Sequence, residues 1–99
     1  MIMLGVKTML IKTDGMPLHE QVFEVLRANY FLNDTADFSR QMGRSRTYLS
    51  TLRYNGHSPS TDAYANLLNY LRECYGETED ADLKACLGHY IKLVEEIVA

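Results

Sequence analysis

The sequence predicts an all-α fold, a small bundle of about five helices, on three observations. Apolar residues recur every three or four positions from residue 18 to the end of the chain. Residues that favour helix starts and glycines that favour helix ends divide this pattern into short segments. Alternation with a period of two, which would predict strands, is confined to residues 2–13. The chain is therefore expected to form one helical domain.

Composition agrees with a small globular protein. The chain has 99 residues, 46% of them apolar, which suffices for a modest core without disulfides or metal. Cys74 and Cys86 lack ligand spacing and are expected to be reduced thiols, one or both buried. No stretch approaches the roughly 20 apolar residues of a membrane span, and the N-terminus is a poor signal peptide. A cytoplasmic protein without membrane contact is expected.

Residues 1–15 are interpreted as an N-terminal leader or arm. The weak strand pattern at residues 2–13 needs a partner, because a lone strand is not stable. It could pair with its symmetry mate in a dimer, pack as an arm, or remain a loose leader before Asp14-Gly15. The leader is preferred, since termini are usually loose unless something holds them.

The first two helices are predicted at about residues 18–30 and 35–42. Pro17 suits the first turn of a helix, and apolar residues then follow at helical spacing. Asn33 and Asp34 break this helix, and Asp34 or Thr35 can cap the next one.

A sharp turn at Gly43 is expected to separate the second helix from the third. Glycine accepts a left-handed backbone and commonly closes a helix just past its end. Ser45 is expected to cap the third helix, at about residues 46–54, through its hydroxyl. Asn55-Gly56 then ends that helix. The apolar sides of the two helices carry Phe38, Met42, Leu49 and Leu52.

A fourth helix is expected to close the core. Ser60 is its predicted N-cap and Gly76 its predicted stop, which makes residues 16–76 the main domain. Its apolar side carries Tyr64, Leu67, Leu68, Leu71 and Cys74.

Residues 77–99 are predicted to form a C-terminal amphipathic helix opened by acids at residues 79–82. Large apolar residues follow with spacings of 4, 3, 4 and 3, as in a coiled-coil seam. The helix could fold back on the first helix of the same chain. Self-association is preferred, because a four-helix domain already has its core. The seam residues are Leu83, Leu87, Tyr90, Val94 and Ile97.

Two short helices joined at a glycine resemble the helix-turn-helix of the lambda-repressor-like (Cro-type) family, whose second helix lies in the DNA major groove. The resemblance covers about residues 18–75. It implies that Ser39 lies where the two helices cross and that Ser45 opens the recognition helix. The residue after the turn glycine is usually apolar in this family, whereas here it is Arg44. Its head could then reach a phosphate while its stem covers the core.

The outward side of the third helix is expected to contact bases. Arg46 is the best candidate, because a guanidinium can bond guanine O6 and N7 together. Thr47, Ser50 and Thr51 can bond base edges or press a methyl group against thymine. Tyr48 would contact sugar or phosphate, or pack partly inward.

Charge is distributed unevenly along the chain. The formal net charge is −3, yet no acid occurs between Asp37 and Asp62, where four arginines lie. A basic face on an acidic body is typical of a site-specific DNA reader, although arginines on amphipathic helices can also be plain solvated surface. Arginines other than Arg46 are assigned to phosphates, which fix register. The predicted DNA-binding set is Arg40, Arg44, Ser45, Arg46, Thr47, Tyr48, Ser50, Thr51 and Arg53.

The sequence offers little support for an enzyme. The three histidines are scattered, and no metal-ligand spacing, nucleophile elbow or phosphate-binding glycine loop occurs, so no cofactor and no metal are expected. The preferred function is sequence-specific binding of double-stranded DNA by a small homodimeric transcriptional regulator. The alternative is a protein-interaction module or antitoxin-like protein that keeps the repressor-like shape and binds a protein partner.

Overall fold

The computed structural model describes residues 15–99, which form five helices and no strand. The predicted all-α class is therefore confirmed. The strand, arm or leader predicted for residues 1–15 falls outside the described residues, except for Gly15. The helices are α1 (Leu18–Ala28), α2 (Thr35–Gln41), α3 (Tyr48–Asn55), α4 (Thr61–Glu77) and α5 (Ala81–Val98).

Side chains cap three of the helices at the positions that the sequence suggests. The Asp34 carboxylate accepts from the N–H of Asp37 at 3.0 Å, and the Ser60 hydroxyl accepts from the N–H of Ala63 at 3.2 Å. The Asp80 carboxylate does the same for α5, accepting from the N–H of Leu83 at 3.2 Å. These bonds satisfy amides that a helix leaves unpaired at its start.

Two predicted helix ends are wrong. The stop at Gly76 fails because α4 continues to Glu77. A glycine costs a helix only about 1 kcal/mol, and buried Cys74 in the same turn holds the helix end to the core. The first helix ends at Ala28 rather than Tyr30, because Tyr30 adopts a left-handed backbone with φ +67°. The Tyr30 side chain is 93% exposed.

The C-terminal helix folds back on its own chain. Helix α5 packs along α4, and Arg72 on α4 bonds Glu95 on α5 at 2.8 Å. The Tyr90 hydroxyl lies 3.1 Å from Gln21 Oε1, so α5 also contacts α1. Of the five seam residues only Ile97 stays exposed; the four buried in the core are Leu83, Leu87, Tyr90 and Val94.

This packing removes the reason that favoured self-association. The seam was assigned to a dimer because its apolar side chains seemed to lack a place within the chain. The core in fact extends over α5, whose buried residues belong to one cluster with those of the other four helices.

Helices α1, α2 and α3 share the rest of this core with α4. Phe38 of α2 is fully buried and its ring lies 5.3 Å from that of Phe23 on α1. The predicted apolar side of α4, from Tyr64 to Cys74, is buried throughout. Close packing of these side chains fixes the positions of α2 and α3, and therefore the position of the turn that joins them. None of the helices in residues 15–99 has the length and apolar character needed to cross a bilayer.

Candidate nucleic-acid interface

The chain reverses between α2 and α3 at the predicted turn glycine. Gly43 has φ +73°, the left-handed region that side chains disfavour. Its N–H donates to the carbonyl of Arg40 at 2.9 Å, and the N–H of Arg44 donates to the carbonyl of Ser39 at 3.1 Å. This pair of bonds is a Schellman motif, which ends α2 and directs the chain toward α3.

Asn66 on α4 holds the same turn from outside. Its side-chain amide donates to the carbonyl of Met42 at 3.1 Å. A Cβ atom on Gly43 would overlap Asn66 Nδ2. Position 43 therefore requires glycine for two reasons, the backbone conformation and the close approach of α4.

Ser39 joins α2 to α3, as the resemblance implied for the crossing point. It has no exposed surface, and its hydroxyl donates to the carbonyl of Thr35 at 2.8 Å. The same oxygen accepts from the N–H of Leu49 at 3.0 Å. Leu49 is the second residue of α3, so a side chain from α2 satisfies one of the free amides at the start of α3.

The predicted capping role of Ser45 is wrong. Its hydroxyl lies 3.3 Å from the Thr47 hydroxyl, and its backbone carbonyl accepts from the N–H of Tyr48 at 3.0 Å. The α3 amide at Leu49 is already bonded to Ser39, so a local cap is not needed. Helix α3 consequently starts at Tyr48 and not at Arg46, which lies in the turn.

Helix α3 presents one face to solvent. Side chains follow one another by about 100° around a helix, so residues 47, 50, 51 and 54 share an arc of about 100°. The buried Leu49 and Leu52 lie on the opposite side. Three of the predicted base-contacting residues lie on the solvent face together with Tyr54, which is 91% exposed; the four are Thr47, Ser50, Thr51 and Tyr54.

Arg46 and Arg44 are the arginines without a carboxylate partner in the described part of the chain. Arg46 is exposed. Arg44 donates to the Ser60 hydroxyl at 2.9 Å, and its guanidinium lies 5.6 Å from the centre of the Tyr48 ring. The Tyr48 side chain is half-buried, and its hydroxyl accepts from the N–H of Ser60 at 3.1 Å. Arg44 is thus fixed against the start of α4 with its charge uncompensated.

Arg53 is occupied within the chain. Its Nε and Nη2 each donate to a Glu20 carboxylate oxygen at 2.8 Å, and its guanidinium lies 5.5 Å from the centre of the Phe23 ring. This two-point bond to a carboxylate on α1 orients α3 against α1. Arg53 was assigned to a phosphate, and the structure gives it a bond that orients α3 instead.

Arg40 also has a carboxylate partner, but a weak one. It bonds Asp37, three residues earlier on the same helix, at 2.9 Å, and its side chain is 56% exposed. Such surface pairs contribute little to stability, so a phosphate can displace Asp37 readily. The basic face is therefore narrower than four arginines suggested, with Arg44 and Arg46 at its centre.

His19 lies buried beside the Glu20–Arg53 pair. Its Nε2 is 3.7 Å from a Glu20 oxygen, and its Nδ1 has no hydrogen-bond partner among the described residues. Burial lowers the pKa of His19, against the pull of Glu20, and Arg53 lowers it further. The bond from Arg53 lowers the pKa of Glu20. The folded protein thus holds His19 neutral and Glu20 charged.

We expect stability to fall as the pH is lowered from about 6.5 toward 5. The unfolded chain takes up a proton near the ordinary histidine pKa of 6.5, whereas folded His19 resists protonation, so acid favours unfolding. Thermal melts across this range should show a smaller drop for His19→Gln than for the unchanged chain. His57→Gln, at an exposed histidine, is the control. Equal drops in all three would contradict the role of His19.

Neither cysteine is an activated thiol. Both cysteines are free; burial raises the pKa of Cys74 to about 11 and also raises that of Cys86. A thiol with a raised pKa is a poor nucleophile at neutral pH. Within residues 15–99 no three His, Cys, Asp or Glu side chains come close enough to hold a metal ion.

A protein-family model matches residues 19–97, most of the chain. The chain belongs to DUF6626, a family of unknown function. No curated protein and no solved structure matches it. The DUF6626 match runs from α1 into α5 and so covers the turn, α3 and the C-terminal helix alike.

Sequence reasoning missed three residues around α3 in this DUF6626 chain. Glu20 gave no sequence signal for this role, because its partner Arg53 is 33 positions away. Asn66 gave no signal, since a polar residue on the outer side of a helix is ordinary. Tyr54 was left out of the predicted set, although its position five residues after Leu49 places it on the solvent face.

Proposed function

We propose that this protein binds double-stranded DNA in a sequence-specific manner, as a small transcriptional regulator that inserts α3 into the major groove. The observation that carries the proposal is the exposed face of α3. Its polar side chains project away from Leu49 and Leu52 and make no side-chain bond to the rest of the described chain, apart from the Ser45–Thr47 contact. An isolated, exposed helix face with hydrogen-bonding groups is what groove readout requires.

Charge supports the same proposal. Arg44 and Arg46 precede α3 and have no carboxylate partner among the described residues, and Arg40 can exchange Asp37 for a phosphate. The fixed position of Arg44 suits a contact to the DNA backbone, whereas the exposed side chain of Arg46 suits a bond to a guanine base. Arg53 would act indirectly by holding the angle of α3.

Fluorescence anisotropy with a random-sequence duplex at two salt concentrations tests binding. Each phosphate neutralised by the protein steepens the fall of log affinity with log salt by about 0.9, so phosphate contacts from Arg40 and Arg44 predict a slope near −2 per bound chain. Affinity that is undetectable at low salt, or that does not change with salt, would rule out the proposal.

Arg46→Ala tests the assignment of the base contact. On a duplex selected by the protein from a randomised pool, we expect affinity to fall about tenfold or more, because one bidentate contact to guanine is lost. Affinity for random duplex should change far less. Lys92→Ala removes one positive charge at an exposed position of α5 and should leave both affinities unchanged. If Arg46→Ala and Lys92→Ala lost affinity equally, Arg46 would contribute only its charge and not a contact to a base.

A homodimer through α5 remains part of the proposal, with a smaller surface than the sequence suggested. Ile97 is 41% exposed, whereas Ile91, Leu93 and Val98 are half-buried and pack against the core at the edges of the buried face of α5. Two linked readers would bind two half-sites about one helical turn apart and gain effective concentration. Sedimentation equilibrium gives the mass directly. A cytoplasmic location accords with this function.

The second candidate is a protein-interaction module or antitoxin-like protein. The bonds from Glu20 to Arg53 and from Asp37 to Arg40 favour it, because they neutralise half of the arginines assigned to DNA. The same anisotropy experiment distinguishes the two, since an interaction module would show no salt-dependent affinity for duplex.

A further inference from the structure

The solvent face of α3 has an unusual composition for a helix flanked by arginines. Its four residues, Thr47, Ser50, Thr51 and Tyr54, carry no charge and no amide. Two of them present methyl groups and one an aromatic ring. Tyr54 is 91% exposed, although a ring of this size normally packs against other apolar atoms.

The hydroxyls on this face lack partners. Ser50, Thr51 and Tyr54 make no side-chain hydrogen bond within residues 15–99, and only Thr47 contacts Ser45 at 3.3 Å. The flanking side chains are engaged elsewhere: Arg53 binds Glu20 on one side, and Tyr48 binds Ser60 on the other. The face between them is therefore a narrow strip of methyl, ring and hydroxyl groups with fixed edges.

We propose that this strip reads the C5-methyl groups of thymines in the major groove, with Tyr54 as a contact residue. The proposal rests on the proposed DNA binding and specifies its substrate class. Methyl and aromatic groups recognise thymine by apolar contact, whereas adenine and guanine are read by amides and guanidinium groups, which the strip lacks. The major groove is the one groove where the thymine methyl is displayed.

The length of the strip sets the size of the site. Tyr54 lies seven positions after Thr47, which at a rise of about 1.5 Å per residue is about 10 Å. Base pairs are about 3.4 Å apart, so the strip spans about three of them. Arg46 lies just before Thr47, at the end opposite Tyr54. The preferred half-site is thus about three thymine-bearing base pairs beside a guanine.

Uracil substitution tests this inference without changing the protein. The probe is a duplex that the protein selects from a randomised pool, compared with the same duplex carrying uracil for thymine, which removes only the methyl groups. We expect affinity to fall about fourfold for each methyl lost from the contact, the value of one buried carbon group.

Tyr54→Ala should lower affinity for the thymine duplex about tenfold and reduce the difference between the thymine and uracil duplexes. Tyr54→Phe should retain both, because the ring remains. Tyr30→Ala removes an equally exposed tyrosine outside α3 and is the matched control, expected to change neither value.

The outcomes separate the two proposals. Equal affinity of the unchanged protein for thymine and uracil duplexes would overturn thymine reading while leaving DNA binding in place. Unchanged affinity in Tyr54→Ala would overturn the role of Tyr54. A protein that binds neither duplex would overturn the proposed function itself.

Discussion

Gly43→Ala is expected to destabilise the protein by about 2–3 kcal/mol. A residue with a side chain in the left-handed region costs about 1–2 kcal/mol. The added Cβ would also displace Asn66 and break its bond to the carbonyl of Met42, which is worth about 1 kcal/mol more. Urea unfolding followed by circular dichroism measures the difference.

Gly56→Ala is the matched control for this substitution. Gly56 closes α3 with φ +67°, close to the value at Gly43, but no atom lies within 4 Å of the Cβ that alanine would add. It should therefore show the backbone cost alone. Equal losses in the two variants would mean that Asn66 does not hold the turn.

A double-mutant cycle sharpens the result. Asn66→Ala removes the amide that the new Cβ would meet, so Gly43→Ala should cost less in that background. If the losses of unfolding free energy from Gly43→Ala and Asn66→Ala were purely additive, the proposed contact between the two positions would be contradicted. The cycle therefore measures how strongly α4 fixes the turn that orients α3.

The helices were predictable because each depends on local information. Apolar spacing places Phe38 and Leu49 in the core, and Gly43 announces the turn through its freedom at positive φ. Asp34 and Ser60 act within three residues of themselves, as caps do. Such signals need no knowledge of the tertiary structure.

The errors occurred where distant residues compete with local ones. Ser45 fits the local pattern of an N-cap, but Ser39 reaches the α3 amide from another helix. The bond between Arg53 and Glu20 was missed in the same way, because Glu20 lies 33 positions away in sequence. The position of α5 likewise depended on whether α4 had a free side, which spacing alone does not reveal.

The candidate site was predicted in part for the same reason. The exposure of Ser50 and Thr51 follows from their place relative to Leu49 and Leu52 on one helix. The electrostatics around them do not, since ion pairs to α1 and within α2 change which arginines are available. The structure thus leaves this face of α3 exposed, but it pairs two of the four nearby arginines with carboxylates.

Ser39→Ala is expected to destabilise the protein by about 2 kcal/mol. The substitution leaves the N–H of Leu49 without an acceptor at a buried position, and an unpaired buried amide costs about 1–3 kcal/mol. Ser45→Ala makes the same chemical change six residues later, at an exposed hydroxyl with one long contact. Its effect should stay within about 0.5 kcal/mol.

Thermal or urea unfolding of the two serine variants decides which residue caps α3. A larger loss for Ser45→Ala would restore the local cap and place the start of α3 under its control. A larger loss for Ser39→Ala has a consequence for function, because the bond from α2 then fixes the position of α3. The proposed DNA binding then predicts that affinity falls as well, because α3 would no longer hold its exposed side chains in fixed positions.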